Sequence, residues 1–290
     1  MGLALVSPGS ARPRYDFTVG RSRVRLYHGD CVSVLPRLEP GSIGLVVTSP
    51  PYNLGIKYRS YRDDLPRSEY LGWTDRWIRA VQRVTRDDAS FFLNVGAKPT
   101  DPWIPLEVAQ VARKHFKLQN TIHWVKAIAI DRAQARARGL DRDVAVGHYK
   151  PINSDRFVND CHEYIFHFSP AGRTALDRRA VGVPYQDRSN IKRWASAGDG
   201  LRCRGNTWFI PYETIQSRDR DRPHPASFPP KVPEQCIRLH GIERAGTVLD
   251  PFLGLGTTAV AAVKLGLDFV GIELDDAYLR EAVKRIRGAG

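Results

Sequence analysis

Short apolar runs alternate along this chain with segments of helical spacing. A β-branched run at 43–47 stops at two prolines, and at 70–81 large apolar residues recur every three or four positions. The first pattern is typical of a buried strand, and the second of an amphipathic helix that packs against one. Strands that alternate with helices predict an α/β fold.

The same criteria divide most of the chain into elements. We expect strands at 23–28, 43–47, 89–95, 118–125, 163–168, 246–250 and 268–272. We expect helices at 31–38, 70–81, 105–115 and 259–265. The helix at 70–81 is expected to serve core packing more than binding, through Tyr70, Leu71, Trp73, Trp77, Ile78 and Val81.

A cluster of unusual residues follows the strand at 43–47. It consists of Thr48, Ser49, Pro50, Pro51 and Tyr52. Because proline cannot pair inside a sheet, the strand must end there, and ligands of α/β sheets bind just beyond the carboxyl ends of strands. A hydroxyl, two rigid prolines and an aromatic ring at such a place indicate a pocket for a planar group. A proline-rich turn without function is the alternative that these residues alone leave open.

A glycine-containing turn lies near the other end of the chain, between a predicted strand and a predicted helix. It comprises Asp250, Pro251, Phe252, Leu253, Gly254, Leu255, Gly256, Thr257 and Thr258. The next strand ends at Glu273, where nucleoside-binding βαβ units place an acid that accepts from ribose hydroxyls. The charge of Asp250 disfavours a pyrophosphate and favours the ammonium and sulfonium groups of S-adenosylmethionine. An NAD site and a structural turn remain alternatives.

The two motifs together resemble those of the exocyclic-amino DNA methyltransferases. The string from Thr48 to Tyr52 is similar to the catalytic motif of that family, and the turn from Asp250 to Thr258 is similar to its cofactor motif. A catalytic motif that precedes the cofactor motif is the order of the circularly permuted β group. The resemblance therefore implies a Rossmann-like S-adenosylmethionine-dependent methyltransferase fold, circularly permuted, with an inserted target-recognition region.

Two further segments extend the resemblance. Gly29-Asp30-Cys31 is similar to the family's N-terminal cofactor segment, and 224–229 resembles the His-Pro segment before the glycine turn. Phe228 stands where many relatives carry Lys, and a phenyl ring cannot make that residue's charged contact to the methionine carboxylate. The family implies cofactor-binding roles for Asp30, Cys31, His224, Phe228, Asp250, Pro251, Phe252, Gly254, Gly256, Thr257, Thr258 and Glu273.

The family's organisation predicts how the chain is divided. Residues 1–126 would form the catalytic half of the methyltransferase core and 224–290 the cofactor-binding half. Residues 127–160 and 170–223, rich in Arg, Asp, Gly and Pro, flank a core strand at 161–169 and would read the target. The candidate DNA contacts are Arg188, Lys192, Arg193, Arg202, Arg204 and Arg218.

The resemblance also implies a mechanism. The side-chain oxygen of Ser49 and the carbonyl of Pro50 accept the two amino hydrogens of the target base, and Tyr52, after Pro51, stacks on its ring. Transfer is direct and needs orientation and electrostatics, and the base is flipped out of double-stranded DNA. Because Ser at position 49 is usual among the family's cytosine enzymes and Asp among its adenine enzymes, we expect cytosine N4, with adenine N6 as the alternative.

Composition agrees with a nucleic-acid substrate without establishing one. The chain has 290 residues, 44 Lys and Arg against 31 Asp and Glu, and a net charge of +13. That charge alone would suit RNA, a membrane surface or no polyanion at all. No apolar run approaches the roughly 20 residues that span a bilayer, and the N terminus lacks a secretory pattern. Four scattered cysteines, without zinc spacing, indicate reduced thiols and no metal site.

Several alternatives stay open on these grounds. A methyltransferase of RNA or protein glutamine would usually carry Asn-Pro-Pro-Tyr and the opposite motif order. A catalytically dead relative that only binds DNA is the non-enzymatic alternative. As partners we expect double-stranded DNA, and the family is compatible with a homodimer and a cognate restriction endonuclease in a bacterial or archaeal cytoplasm.

Overall fold

The computed structural model describes residues 12–137, 139–147, 154–185, 200–211 and 228–290. Its strands are β1 (Tyr15–Val19), β2 (Ser22–His28), β3 (Ile43–Thr48), β4 (Thr85–Val95), β5 (Lys117–Val125), β6 (Ile128–Ile130), β7 (Val144–Val146), β8 (His162–Ser169), β9 (Val183–Pro184), β10 (Leu201–Arg202), β11 (Thr207–Phe209), β12 (Thr247–Asp250) and β13 (Asp268–Glu273). Its α-helices are α1 (Cys31–Val34), α2 (Arg67–Val84), α3 (Ile104–Ala112), α4 (Arg132–Arg136), α5 (Lys231–His240), α6 (Ile242–Ala245), α7 (Thr257–Lys264) and α8 (Asp276–Arg287).

One large sheet organises these elements, and it confirms the predicted α/β class. Its strand order is β1-β2-β13-β12-β3-β4-β8-β5-β11. The five strands from β2 to β4 run parallel, and β8 lies antiparallel between β4 and β5. Since parallel neighbours end at the same edge, the residues that follow β2, β3, β12 and β13 converge on one side of the molecule.

The pairing of β12 with β3 brings together two segments that are far apart in sequence. Val248 lies opposite Leu45, and Leu249 lies opposite Val46. The next residue, Asp250, therefore reaches the end of β12 close to Thr48 at the end of β3. This register places the glycine turn next to the Ser-Pro-Pro-Tyr segment.

Helices cover both faces of the sheet, and the residues of β3 alternate between the two cores. Leu45 and Val47 belong to the hydrophobic cluster that includes residues of α5, α7 and α8, whereas Val46 belongs to the cluster formed with α2 and α3. Within α2, Trp77 is fully buried, which confirms the core role predicted for this helix. A side chain of this size stabilises the fold by about 2–3 kcal/mol when it leaves water.

The helix predicted at 31–38 is wrong in its second half. It forms one α-helical turn, α1, and then continues as a 3₁₀ turn over Leu35–Arg37. Pro36 has no N–H to donate, and its ring would clash with the carbonyl four residues earlier, so the α-helix cannot continue through it.

Sequence reasoning missed β1, α5 and α8, although α8 carries a clear signal. The carboxylate of Asp275 caps this helix by accepting hydrogen bonds from the backbone N–H of Ala277 and Tyr278. The apolar spacing of Leu279, Val283 and Ile286 is helical as well. Strand β1 pairs antiparallel with β2 through a turn at Gly20, whose φ of 57° suits glycine.

The segment between β5 and β8 leaves the large sheet and forms a separate two-stranded unit. β6 and β7 pair antiparallel, with α4 between them. A second small pair, β9 and β10, follows β8. In the part of the chain that the structure describes, no helix has the length and apolar character required to cross a membrane.

Candidate active site

A pocket opens where the parallel strands end. Its lining residues come from the segments after β2, β3, β12 and β13, and from α2 and α8. They are Gly29, Asp30, Cys31, Ser49, Pro50, Pro51, Tyr52, Tyr58, Ser60, Tyr61, Trp73, Phe228, Asp250, Pro251, Phe252, Leu253, Gly254, Leu255, Thr257, Thr258, Ile272, Glu273, Leu274, Asp275 and Tyr278.

This pocket brings together nearly all the catalytic and cofactor-binding residues predicted from sequence. The four strand-end residues, Ser49 to Tyr52, share it with Asp30, Cys31 and the residues of the glycine turn. Phe228 also lines it, whereas His224 lies outside the described residues. Gly256 does not line the pocket; it lies in the turn on the side that faces α8.

The glycines of the turn are required by geometry. Gly254 and Gly256 have φ values of 52° and 77°, which are strained for other residues. A Cβ on Gly256 would also lie only 3.2 Å from the Cβ of Ala282. Gly256 is the N-cap residue of α7, so the turn can reverse the chain while that helix packs closely on α8.

Glu273 holds the turn against the end of β13. Its Oε2 accepts a hydrogen bond from the N–H of Gly254 at 2.7 Å, and its Oε1 accepts from the N–H of Asp275 at 2.8 Å. Burial raises the pKa of this carboxyl, and the two backbone donors oppose that shift. The carboxylate thus stands at the pocket wall, at the βαβ position where nucleoside-binding units place a ribose acceptor.

Asp250 connects the two halves of the site. Its Oδ1 accepts from the hydroxyl of Thr48 at 2.6 Å and from the N–H of Phe252 at 3.0 Å, and its Oδ2 accepts from the hydroxyl of Thr258 at 2.7 Å. Burial raises its pKa to about 6, against these hydrogen bonds. The carboxylate therefore fastens β12 to β3 as well as placing an acidic group at the pocket.

The segment after β2 adds a further acid to the pocket. Asp30 caps α1 by accepting from the N–H of Val32 at 2.9 Å. Burial, with the nearby charge of Asp30, raises the pKa of the Cys31 thiol well above its usual range. Cys31 is therefore a small apolar wall of the pocket and is not an activated nucleophile.

Acidic residues dominate the charge of the pocket. Four carboxylates line it, those of Asp30, Asp250, Glu273 and Asp275, and none of its described lining residues is Lys, Arg or His. Phosphate-binding sites need cationic groups or free backbone N–H groups, so this lining disfavours a dinucleotide. It suits a nucleoside that carries positive charge.

The strand-end residues form a hydrogen-bonded group with two side chains that sequence reasoning missed. Ser49 Oγ lies 2.5 Å from Tyr52 Oη, which lies 3.1 Å from Glu163 Oε2 on β8. Asn94 on β4 donates to Tyr52 Oη at 2.6 Å and to Glu163 Oε2 at 2.7 Å. Lys126 pairs with Glu163 Oε1 at 3.0 Å. No local motif marks Asn94 or Glu163, because only the sheet brings β4 and β8 to this point.

A clamped loop after Tyr52 covers part of the pocket. The carboxylate of Asp63 accepts from the N–H groups of Asn53, Leu54 and Ile56, and Asn53 adopts a φ of 60°. Ser60, further along the same loop, donates to Asp275 Oδ2 at 2.6 Å. The loop is thereby attached to Asp275, the N-cap residue of α8.

Several aromatic residues of the pocket were not assigned to it from sequence. Trp73 was expected in the core, and its ring does contact Trp77, but it also lies 5.5 Å from Phe252 and 5.5 Å from Tyr61 between ring centroids. Tyr58 and Tyr278 complete this apolar wall. An aromatic residue on a helix carries no local signal that separates core from pocket.

Of the basic residues proposed for DNA, the two that the structure describes lie outside the pocket. Arg202 is exposed on β10, and Arg204 donates to the carbonyl of Val181 at 3.0 Å. Neither lines the pocket. The other four candidates, Arg188, Lys192, Arg193 and Arg218, fall outside the described residues.

The sheet and the pocket at its carboxyl edge define an α/β enzyme that takes a nucleoside-like ligand. Residues 43–284 match the family model N6_N4_Mtase, described as DNA methylase. The chain therefore belongs to this family and is a DNA methyltransferase.

Curated relatives match almost the whole chain. M.ScaI of Streptomyces caespitosus, a type II methyltransferase, is 28% identical over 292 residues, which cover 98% of this chain and 86% of M.ScaI. M.BglII of Bacillus subtilis, also a type II methyltransferase, is 29% identical over 280 residues, or 91% of this chain and 69% of M.BglII. The DNA adenine methyltransferase YhdJ of Escherichia coli K12 is 24% identical over 267 residues, or 92% and 84%.

Solved structures share the fold. TTHA0409 of Thermus thermophilus, described as a DNA modification methylase, superposes with a TM-score of 0.60 at 25% identity, over 91% of this chain and 95% of that one. The same protein complexed with S-adenosyl-L-methionine has a TM-score of 0.59 at 25% identity, over 91% and 93%. The cytosine-N4-specific PvuII methyltransferase has a TM-score of 0.63 at 20% identity, over 91% and 86%.

Proposed function

We propose that this DNA methyltransferase transfers a methyl group from S-adenosylmethionine to N4 of cytosine, at a specific site in double-stranded DNA. One observation carries the proposal: Ser49, Pro50, Pro51 and Tyr52 share a single pocket with the glycine turn and Glu273. Amine-binding groups and cofactor-binding groups thus face the same space.

The residues of the pocket fit S-adenosylmethionine. Its ammonium and sulfonium groups match the carboxylates of Asp30 and Asp250, and Glu273 can accept from the ribose hydroxyls. Phe252 and Leu274 offer apolar surface for the adenine ring. When bound, this cofactor supplies an electrophilic methyl group on a positively charged sulfur.

The strand-end residues address the weak nucleophilicity of a base amine, whose lone pair is delocalised into the ring. Ser49 Oγ and the Pro50 carbonyl accept the two amino hydrogens, which localises the lone pair on nitrogen and aims it into the cofactor side of the pocket. Tyr52 holds the ring by stacking. Pro51 is fixed because its carbonyl accepts from Tyr70 Oη at 2.9 Å. Catalysis in this scheme is orientation and electrostatics, without a covalent enzyme intermediate.

The base must leave the duplex to reach these groups. A pocket at the end of β3 cannot reach an amine inside stacked DNA, so the nucleotide flips out at a cost of a few kcal/mol. We assign target reading to 127–160 and 170–223, the two regions that flank the core strand β8, with Arg202 and Arg204 as contacts in the described part. The net charge of +13 supports contact with phosphates.

The order of motifs supports the circularly permuted β group. The catalytic segment follows β3, early in the chain, and the glycine turn follows β12, near its end, yet the two strands are neighbours in the sheet. A permuted chain is one way to build this neighbourhood. The catalytic half would then be 1–126 and the cofactor half 224–290.

The choice of cytosine rests on Ser49, and adenine N6 is the second candidate because of the similarity to YhdJ, a DNA adenine methyltransferase. A neutral hydroxyl and a carboxylate can each accept from either base's amine. The proposal of cytosine therefore concerns only which base is methylated. The mechanism of methyl transfer is the same for both bases.

The test is expression in a bacterium whose genome lacks base methylation. Nucleoside mass spectrometry of the digested genome is expected to show N4-methylcytosine, and sequencing of modified bases is expected to place it at one recognition sequence. The Ser49→Ala variant and the empty vector serve as controls. N6-methyladenine alone would select the second candidate. If neither base is modified although the protein binds S-adenosylmethionine, the DNA proposal fails and RNA or protein glutamine becomes the substrate to test.

A further inference from the structure

A serine hydroxyl is an ambiguous partner for an amine, because it can donate a hydrogen bond as well as accept one. The function proposed above requires Ser49 to accept. Ser49 Oγ and Tyr52 Oη are 2.5 Å apart, and either oxygen could be the donor in that contact. If Tyr52 donated to Ser49, the Ser49 hydrogen would be free to point at the substrate and would repel an amino hydrogen.

Glu163 resolves this ambiguity. A carboxylate only accepts, and a hydrogen bond to a charged acceptor is about twice as strong as one to a neutral acceptor. Tyr52 Oη lies 3.1 Å from Glu163 Oε2, so the single hydroxyl hydrogen of Tyr52 is drawn to Glu163. Because its hydrogen is engaged with Glu163, Tyr52 Oη can only accept hydrogen bonds from its other neighbours. Ser49 must therefore donate to Tyr52 Oη.

The surroundings fix the same direction of hydrogen bonding. Asn94 Nδ2 donates to Tyr52 Oη at 2.6 Å and to Glu163 Oε2 at 2.7 Å, and Lys126 pairs with Glu163 Oε1 at 3.0 Å. Burial and the charge of Glu163 raise the pKa of Tyr52 well above its usual range, which keeps its hydrogen in place. The side chain of Glu163 is only 14% exposed, so water competes little for its oxygens.

Backbone geometry makes room for the contact. Gly96 follows β4 directly beside the two side chains. A Cβ at this position would lie 3.0 Å from Tyr52 Cε2 and 3.1 Å from Glu163 Cδ. Glycine therefore leaves space for the tyrosine ring and the carboxylate to meet, whereas a Cβ here would require both side chains to shift by a few tenths of an ångström.

We propose that Glu163 is a positioning residue that, through Tyr52, turns the Ser49 hydroxyl into an acceptor for the substrate amine. This inference rests on the proposed function and deepens it. The hydrogen bonds run from Ser49 to Tyr52 and from Tyr52 to Glu163. Asn94 Nδ2 also contacts Ser49 Oγ at 3.4 Å, which leaves one lone pair of Ser49 for the base. The charged end of this hydrogen-bond series, Glu163, lies on β8 and is far in sequence from the Ser-Pro-Pro-Tyr segment that it contacts.

Kinetics of three variants test the proposal. We expect Glu163→Gln to lower kcat roughly ten- to hundredfold, with the KM for S-adenosylmethionine unchanged, because the amide can also donate and no longer fixes the direction. Tyr52→Phe keeps the stacking ring and removes the relay, so a similar loss is expected. The double variant is expected to be no slower than Tyr52→Phe, since Glu163 acts through that hydroxyl. Losses that multiply would overturn the proposal, as would full activity of Glu163→Gln.

A second measurement needs no methyl transfer. In protein labelled with ¹³C at tyrosine Cζ, the Tyr52 signal is assigned by its loss in Tyr52→Phe. We expect Glu163→Gln to shift this signal and the matched variant Glu243→Gln, exposed on α6, to leave it in place. An unshifted Tyr52 signal in Glu163→Gln contradicts the proposal. A shifted signal in a protein that methylates neither DNA base would uphold the hydrogen-bond chain and refute the proposed substrate.

Discussion

The hydroxyl of Thr48 donates a 2.6 Å hydrogen bond to the carboxylate of Asp250, 202 residues away. This bond joins the last residue of β3 to the last residue of β12, at the point where the Ser-Pro-Pro-Tyr segment and the glycine turn begin. It explains how an acid can be buried at the pocket: Thr48, Thr258 and the N–H of Phe252 replace the water that Asp250 loses.

The first prediction concerns the pH dependence of cofactor binding. The pKa of Asp250 is raised to about 6, so below pH 6 the carboxyl becomes neutral in the free protein. Binding of the proposed cationic cofactor should favour the ionised form and weaken as the pH falls through 6, by about tenfold at pH 5.

Isothermal titration calorimetry between pH 5 and 8 measures the Kd for S-adenosylmethionine. Asp250→Asn should remove most of the dependence, whereas Asp87→Asn, at an exposed position outside the pocket, should keep it. A flat profile in the parent protein would refute the role of this charge.

The second prediction concerns Ser49. Ser49→Ala removes one of the two proposed acceptors for the amine without touching the glycine turn. We expect kcat to fall by about a hundredfold while the Kd for S-adenosylmethionine stays the same. Single-turnover methylation of DNA and calorimetry separate the two quantities. Equal turnover of the variant and the parent would remove Ser49 from the mechanism.

The third prediction concerns stability in acid. His167 donates to or accepts from Ser90 at 3.0 Å, and His240 contacts the same hydroxyl at 2.9 Å. Burial lowers the pKa of His167 to about 3 and that of His240 to about 4. The unfolded chain takes up protons near pH 6.5, where the native protein cannot, so the free energy of unfolding should fall as the pH drops below 6.5.

The expected loss is about 1.4 kcal/mol per histidine between pH 7.5 and 5.5. Urea unfolding at both pH values measures it. His167→Gln should reduce the difference in unfolding free energy between the two pH values by about 1.4 kcal/mol, and His28→Gln, at an exposed position, should not. A parent protein that is equally stable at both pH values, with His167→Gln indistinguishable from it, would show that these histidines take up protons as readily in the folded protein as in the unfolded chain.

The fourth prediction compares two glycines. A Cβ on Gly44 in β3 would lie 2.2 Å from the carbonyl oxygen of Ala245, so Gly44→Ala must displace α6 from the sheet. We expect a loss of about 1–3 kcal/mol in unfolding free energy. Gly72 lies inside α2 and a Cβ there meets nothing closer than 3.9 Å, so Gly72→Ala should stabilise by about 0.5–1 kcal/mol. Denaturant titration of both variants checks that the unfolding free energy falls for Gly44→Ala and rises for Gly72→Ala. A Gly44→Ala variant as stable as the parent would show that α6 can shift away from the sheet at little cost.

Local patterns in the sequence determined the main strands, the long helix α2, the end of β3 and the glycine turn. These features depend on neighbours along the chain: proline stops a strand at Pro50, and positive φ selects Gly254 and Gly256. The same patterns do not predict α1 correctly, because Pro36 ends its α-helical geometry after one turn. The N-cap Asp275 and the apolar spacing of α8 are local signals that indicate a helix.

Only the tertiary structure decided which distant residues meet. The parallel register of β12 and β3 brings Asp250 to Thr48, and the antiparallel position of β8 beside β4 brings Glu163 to Asn94 and Tyr52. A hydrogen bond between residues on different strands depends on the order of the strands in the sheet, which is set by the packing of all elements together. The proposed catalytic residues Ser49 and Tyr52 could therefore be identified from the sequence, whereas the carboxylate of Glu163, proposed to orient them, is identified only by the folded structure.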